Sequence, residues 1–366
     1  MRVTISGAGL GGLCLAQGLR QAGIDIDVYE RDPAITARFQ GYRLMLSPAG
    51  LEALRGCLPP RWHRLLDAIL GDARAGRLIL DPQLNPIGEL GQVRTGIVAD
   101  RHVLRHLLLT GLPVHTGAAL TGYEPRDDGR VEARFTHRDP VTADLLVGAD
   151  GITSAVRATL SPQTRPTDTG VRFVIGRTPL TGQFASLEPA LGSKITGDGV
   201  SLLLGAMQFR TPPREAAETL APEVTLPDVG DYIRWAMVLP PAGSLDGMTP
   251  QEAVLSRTEG WHPDLRALIE QADADHSTLL SIRVVEPRER WTPGPVTLLG
   301  DAIHATSPTG GNGANTALRD ADVLRRCLIA TPQDRLGAVE HYERQMFEYG
   351  AEAVRSSLDA LPSLTR

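Results

Sequence analysis

Met1-Arg-Val-Thr-Ile-Ser-Gly7-Ala-Gly9-Leu-Gly-Gly12 opens the chain, and the reading of residues 1–32 decides its fold. Val3 and Ile5 alternate with Arg2 and Thr4 as in a short strand, which runs straight into a Gly-x-Gly-x-x-Gly. Leu10, Leu13, Leu15 and Leu19 continue as an apolar helical stretch, and after Gly23 a second strand ends at Glu30. This order suits a dinucleotide. Gly7 permits the tight turn, Gly9 lets the backbone approach a pyrophosphate, and Gly12 lets helix and strand pack closely. Amides at the helix start face the phosphates, and the Glu30 carboxylate can accept from ribose hydroxyls. The motif alone fits NAD as well as FAD.

With 366 residues, 42% hydrophobic and 22% charged, the chain can bury a substantial core, and two domains are expected. A net charge of −6 argues against nucleic acid or anionic membranes as main partners. Cys14, Cys57 and Cys327 form no Cys-x-x-Cys, so reduced structural thiols and no metal site are expected. No apolar run reaches the ~18 residues of a membrane helix. A cytoplasmic monomer or homodimer is the expectation.

Further along, Arg43 lies in the loop Gly41-Tyr-Arg-Leu-Met-Leu-Ser-Pro-Ala-Gly50, a candidate contact for a phosphate, a nicotinamide cofactor or a substrate anion. Ser47-Pro48 reads as a helix start. Residues 77–98 suggest short strands outside the nucleotide unit, and 100–109 a helix with Arg101 at its beginning. An apolar strand then ends in Gly148-Ala-Asp150-Gly151, before a helix carrying Ser154 and Arg157. Residues 166–289 change character. Strand patterns over 170–179, 200–209 and 231–239 alternate with proline-rich loops, and helices fit 249–259 and 264–271, as in a mainly antiparallel sheet. Finally, Gly300-Asp301-Ala-Ile-His304 leads through Pro308, Gly310, Gly311, Gly313 and Ala314 to Asn315 and a helix, a second anion-stabilising pattern. Residues 338–361 read as a terminal helix or helix pair. The fold class is α/β: a Rossmann-like nucleotide-binding domain, a second, mainly antiparallel sheet domain and a C-terminal helix.

The three motifs in this order resemble the single-component (class A) FAD-dependent aromatic hydroxylases, the family of para-hydroxybenzoate hydroxylase. The tail His341-Tyr-Glu-Arg-Gln-Met-Phe-Glu-Tyr-Gly350 looks like the tetracycline-inactivating monooxygenases within it. The resemblance implies that Gly7, Gly9 and Gly12 hold the FAD pyrophosphate, Glu30 the adenosine ribose, and Arg31 lies beside the adenine. It makes Arg101 a cofactor contact and puts Asp301 at the ribityl or pyrophosphate region. Pro308, Gly311, Gly313, Ala314 and Asn315 would lie against the isoalloxazine, and Asp150 and Arg157 match a motif linked to FAD and NAD(P)H. It further implies NAD(P)H as transient reductant, O2 as co-substrate, and a C4a-hydroperoxyflavin that hydroxylates an aromatic or polycyclic molecule. The chemistry is then flavin-borne, with no catalytic side chain required and His304 structural.

Substrate candidates are Arg43 and the sheet residues Phe173, Arg177, Met207, Arg234 and Met237. The implied division is 1–75, 96–165 and 290–330 for FAD, 76–95 and 166–289 for the substrate sheet, and 331–366 as a helical segment. A flavin-dependent halogenase is disfavoured, because the only lysine, Lys194, is far in sequence from the glycine loops and Arg234-Trp235-Ala-Met-Val-Leu-Pro240 has one tryptophan. The sequence also admits a flavin protein that sequesters a ligand without turnover, and a NAD-dependent dehydrogenase lacking FAD.

Overall fold

Strand Arg2–Ser6 is the middle of a five-stranded parallel sheet whose order is Val296–Leu298, Leu145–Gly148, Arg2–Ser6, Asp25–Tyr29 and Val114–His115. The computed structural model describes residues 1–35, 41–73, 78–90, 96–239, 245, 247–272, 277–308 and 310–362. Val3, Thr4 and Ile5 are all fully buried, since a parallel sheet is covered on both faces. Because the strands run the same way, their carboxyl ends meet along one edge. Gly7, Glu30, Asp150 and Asp301 all follow such ends, which is where α/β sheets bind ligands.

A seven-stranded sheet forms the second unit, in the order Thr278–Val284, Thr167–Pro179, Tyr232–Leu239, Val200–Met207, Lys194–Gly197, Leu78–Leu80, Pro86–Glu89. All its pairings are antiparallel except Lys194–Gly197 with Leu78–Leu80. Its back face packs Val174, Leu202, Trp235 and Met237 against helices Pro250–Ser256 and Pro263–Glu270 and the turn Gly182–Ala190. Both helices begin with proline in the first turn, and Thr249 and Glu252 close a capping box on the first.

A small antiparallel sheet joins Arg43–Leu46, Ile97–Asp100 and Leu70–Asp72, with Arg43 opposite Asp100. The stretch expected as a loop around Arg43 is thus a strand, because Leu44 and Leu46 find ladder partners in Ala99 and Ile97. Helix Pro213–Leu220 also departs from expectation, replacing part of a proline-rich loop. Pro213 suits a first turn, and Ala216 and Ala217 are buried in the large core shared with the parallel sheet, where the helix packs on His63–Ile69.

Helix Asn312–Ala330 packs against Leu10–Gln21, bringing two helix starts to the same edge. The terminal helix is one piece, Arg335–Asp359. Asp320 anchors this region: one carboxylate oxygen accepts from Gly300 N at 2.7 Å and meets His304 Nε2 at 2.6 Å, and the other accepts from Tyr349 OH at 2.6 Å. Burial pushes the His304 pKa down, but Asp320 outweighs it and holds the imidazole above its ordinary value. His304 therefore serves the scaffold. Cys14 and Cys57, distant in sequence, meet as free thiols, and the contact with Cys57 together with burial raises the Cys14 pKa. Among the described residues no helix is long and apolar enough to cross a membrane.

Candidate functional site

A cavity of about 860 Å3 runs along the carboxyl edge of the parallel sheet to the front face of the seven-stranded sheet. The first glycine motif shapes one end. Gly7 has φ of +111°, and a Cβ there would collide with the Ala149 carbonyl oxygen. A Cβ on Gly12 would collide with the Gly7 carbonyl oxygen, whereas one on Gly9 would meet nothing within 4 Å and would project into open space. Gly7 and Gly12 therefore serve close packing, and Gly9 leaves room for a ligand. Gly9 also caps helix Leu10–Gln21 without any side-chain bond, so that helix start offers amides and a positive dipole end to the cavity.

The Gly300–Asn315 segment builds the opposite side. Gly311, at φ +65°, caps helix Asn312–Ala330 with no side-chain bond and no acid in its first turn. Two uncapped helix starts thus face one cavity, an arrangement that fits a diphosphate and an electron-rich ring system. Asp301, Pro308, Gly311, Gly313 and Ala314 all line it, together with Thr306 and Gly310. Asn315 does not. Its Oδ1 accepts from Ser47 N at 2.8 Å, while Nδ2 donates to Met45 O and Gly311 O, pinning strand Arg43–Leu46 to the helix.

Glu30 and Arg31 line the cavity at the end of Asp25–Tyr29. Glu30 is buried, accepting from Ala8 N at 2.9 Å and Asp32 N at 3.0 Å, with Arg105 Nη2 at 3.4 Å. Arg31 donates to Thr153 Oγ1 at 2.8 Å. Asp150 lines the cavity, and its Oδ2 accepts from Ala155 N at 2.8 Å; burial pushes its carboxyl above the ordinary range. Its Oδ1 is buried and takes no hydrogen bond among the described residues. Arg101, first residue of Arg101–Leu109, lines the cavity as well.

Arg157, expected beside Asp150 at the cofactor, is instead buried away from the cavity. It donates to Ala302 O and Ile152 O, both at 2.7 Å, because its helix turns the side chain toward those carbonyls. Sequence reasoning missed Arg105, whose Nε donates to Ala8 O at 2.8 Å and which holds the Glu30 loop. It lies one helical turn after Arg101, so the spacing carried the signal.

Strand alternation sorts the substrate candidates. Arg177 and Arg234 are directly opposite one another, as are Arg234 and Gly205, so all three share the cavity-side face. Arg43 and Arg234 line the cavity with Leu280 and Ile282. Phe173 is on the same face but packs with Val171, Ala236, Val238 and Ile282. Arg177 lies 5.3 Å from the Tyr42 ring and 5.6 Å from the Tyr232 ring. Met207 is buried with Tyr42, Val98 and Tyr232. Met237 falls on the opposite face, in the helix-covered core, because an odd step along a strand reverses the side chain. Lys194 is buried in the sheet and does not line the cavity.

The parallel sheet, its glycine turn and the uncapped helices define a dinucleotide-binding fold with a second sheet closing the cavity. Residues 258–356 match the model of an FAD binding domain, and residues 5–67 that of an NAD(P)-binding Rossmann-like domain. A dual O-methyltransferase/FAD-dependent monooxygenase of Cercospora beticola is 35% identical over 89% of this chain and 42% of its own length. The chain thus spans less than half of that relative. A 3-amino-4-hydroxybenzoate 2-monooxygenase of Streptomyces cremeus is 29% identical, over 97% of this chain and 85% of that protein. Among solved structures, a proposed FAD containing monooxygenase of Photorhabdus luminescens superposes with a TM-score of 0.81 at 29% identity, covering 100% of both chains. A tetracycline destructase shares the fold, with a TM-score of 0.68 at 18% identity over 100% of this chain and 91% of that one. The proteins this chain resembles are FAD-dependent monooxygenases and hydroxylases, and residues 258–356 carry the match to an FAD binding domain.

Proposed function

We propose that this chain uses NAD(P)H and O2 to hydroxylate an aromatic or polycyclic small molecule, working in the cytoplasm. One observation carries the reading: a cavity connects two uncapped helix starts to a sheet face that presents arginine and aliphatic side chains. The name of the Streptomyces cremeus relative supports an aromatic substrate.

In this reading Gly7, Gly9 and Gly12 hold the pyrophosphate, Glu30 and Arg31 the adenosine, and Arg101, Asp150 and Asp301 the middle of the cofactor. Pro308, Gly311, Gly313 and Ala314 bear on the ring. FAD held by these residues would supply the redox chemistry that the chain's own side chains lack. The chain's own work is binding, orientation and exclusion of water. The amides at the start of Asn312–Ala330 favour negative charge on the ring edge nearest them. Leu280 and Ile282 give the substrate a dry wall, while Arg43 and Arg234 orient it. We assign 1–75, 96–165 and 290–330 to the cofactor unit, 76–95 and 166–289 to the substrate sheet, and 331–366 to the helical segment.

The test is NAD(P)H oxidation and O2 uptake by the FAD-loaded protein across a panel of phenolic and polycyclic compounds. Accelerated turnover with one compound class, yielding a product heavier by one oxygen atom, is expected. NAD(P)H oxidation that no compound stimulates would favour ligand sequestration.

A further inference from the structure

Tyr232 belongs to the seven-stranded sheet, yet its hydroxyl ends at a helix of the other unit. The side chain is buried, and its OH donates to Asp100 Oδ2 at 2.7 Å. Asp100 Oδ1 accepts from Val103 N at 2.8 Å and so caps helix Arg101–Leu109. One carboxylate therefore joins the start of that helix to strand Tyr232–Leu239. The next residue, Arg101, lines the cavity, and its backbone N donates to Tyr42 O at 2.7 Å. Its side chain runs back along the turn at Gly41, where an added Cβ would stand 3.8 Å from Arg101 Cδ.

The surroundings keep this bond in one geometry. Tyr42, Val98, Met207 and Tyr232 form one buried cluster, and Arg177 lies 5.3 Å from the Tyr42 ring and 5.6 Å from the Tyr232 ring. Burial pushes the Asp100 carboxyl above its ordinary range, against the two hydrogen bonds and the charge of Arg177. Burial, and then Asp100, push the Tyr232 phenol well above its usual value, so the hydroxyl stays a donor. A buried carboxylate with a donor on each oxygen has little freedom, because losing either donor leaves a desolvated oxygen without a partner. Neither Tyr232 nor Asp100 lines the cavity, so any influence on a bound cofactor passes through Arg101.

We propose that Tyr232 is a positioning residue for the cofactor. Through Asp100 it fixes the start of helix Arg101–Leu109, and with it the Arg101 side chain, so FAD affinity depends on how the seven-stranded sheet is docked. This rests on the reading of the cavity as an FAD site with Arg101 as a contact. A guanidinium grips oxygens through N–H groups of fixed direction, so its hold depends on where the backbone beneath it is held.

The experiment dilutes the FAD-loaded protein in series at neutral pH and reads released flavin by its fluorescence, giving an FAD dissociation constant. Tyr232→Phe, which removes only the hydroxyl, should weaken FAD by about tenfold, and Arg101→Gln by about as much or more. The two together should lose clearly less than the product of the single losses, because both act on one contact. Tyr232→Phe combined with Gly9→Ala should lose the full product, since those residues share no partner. A tyrosine that only stabilises the fold would multiply with both. Asp100→Asn is the conservative rescue: its amide oxygen accepts from Val103 N and its Nδ2 donates to Tyr232 Oη, so FAD affinity should stay within about threefold of wild type. That variant decides the matter if Tyr232→Phe does not fold, which melting temperature on the same samples reveals. Unchanged FAD affinity in Tyr232→Phe, a fully multiplicative pair with Arg101→Gln, or a loss of about tenfold in Asp100→Asn overturns the proposal. Failure of the FAD reading looks different: wild type itself retains no FAD.

Discussion

The cavity has two walls made by different means. On the parallel-sheet side the working parts are backbone: glycines that bring strands and helix starts close, with amides left over. On the seven-stranded side they are side chains, and which ones count depends on the phase of each strand. A backbone wall can be read from residue types at fixed spacing, because only glycine fits. A side-chain wall requires the register as well.

The largest effect expected comes from the scaffold behind the backbone wall. Asp320→Ala leaves Gly300 N, His304 and Tyr349 OH unpaired in the core, a loss of about 3–5 kcal/mol in chemical unfolding. The sign of its pH dependence follows from His304. Its folded pKa lies above 6.5, so the pair's stability is fully present below that value and fades as pH rises through the raised one. Melting temperature measured from acid to alkaline pH should show this decline in wild type and lose it in the variant; identical slopes would remove the pair from the account.

Gly12→Ala and Gly9→Ala split packing from binding. The first drives a Cβ into the Gly7 carbonyl and should cost about 1–3 kcal/mol in the apo protein. The second meets nothing within 4 Å, so the apo melting point should hold while FAD affinity falls by about tenfold, roughly 1.4 kcal/mol. If Gly9→Ala unfolds the protein, or retains FAD fully, the division between the two glycines is wrong. The smallest effect belongs to the far side of the substrate sheet. Met237→Leu, within the helix-covered core, should change stability by less than about 1.5 kcal/mol and leave ligand titrations unchanged. A shifted ligand affinity would return Met237 to the cavity.

Most of the fold was legible. The strand–glycine–helix–strand opening, the strands over 167–179, 200–207 and 232–239, and the terminal helix carry clear periodicities. The Arg43 strand was hidden because it gains order from partners distant in sequence, and helix Pro213–Leu220 because its prolines suggest a loop until the alanine face is noticed. For the site, the cavity-lining glycines follow from spacing. Asn315 and Arg157 did not reveal themselves as braces, since nothing in a residue type says whether its side chain binds a ligand or a neighbouring carbonyl. Met237 is different, because its face was legible from the strand alone: it stands three residues from Arg234, and an odd step changes face.

The most direct test of the central claim, that this cavity holds FAD, is the absorbance spectrum of the purified protein before and after adding FAD and removing excess. The account predicts a bound flavin spectrum at one FAD per chain, sharply reduced by Gly9→Ala. A protein that stays colourless with wild-type residues intact would contradict it.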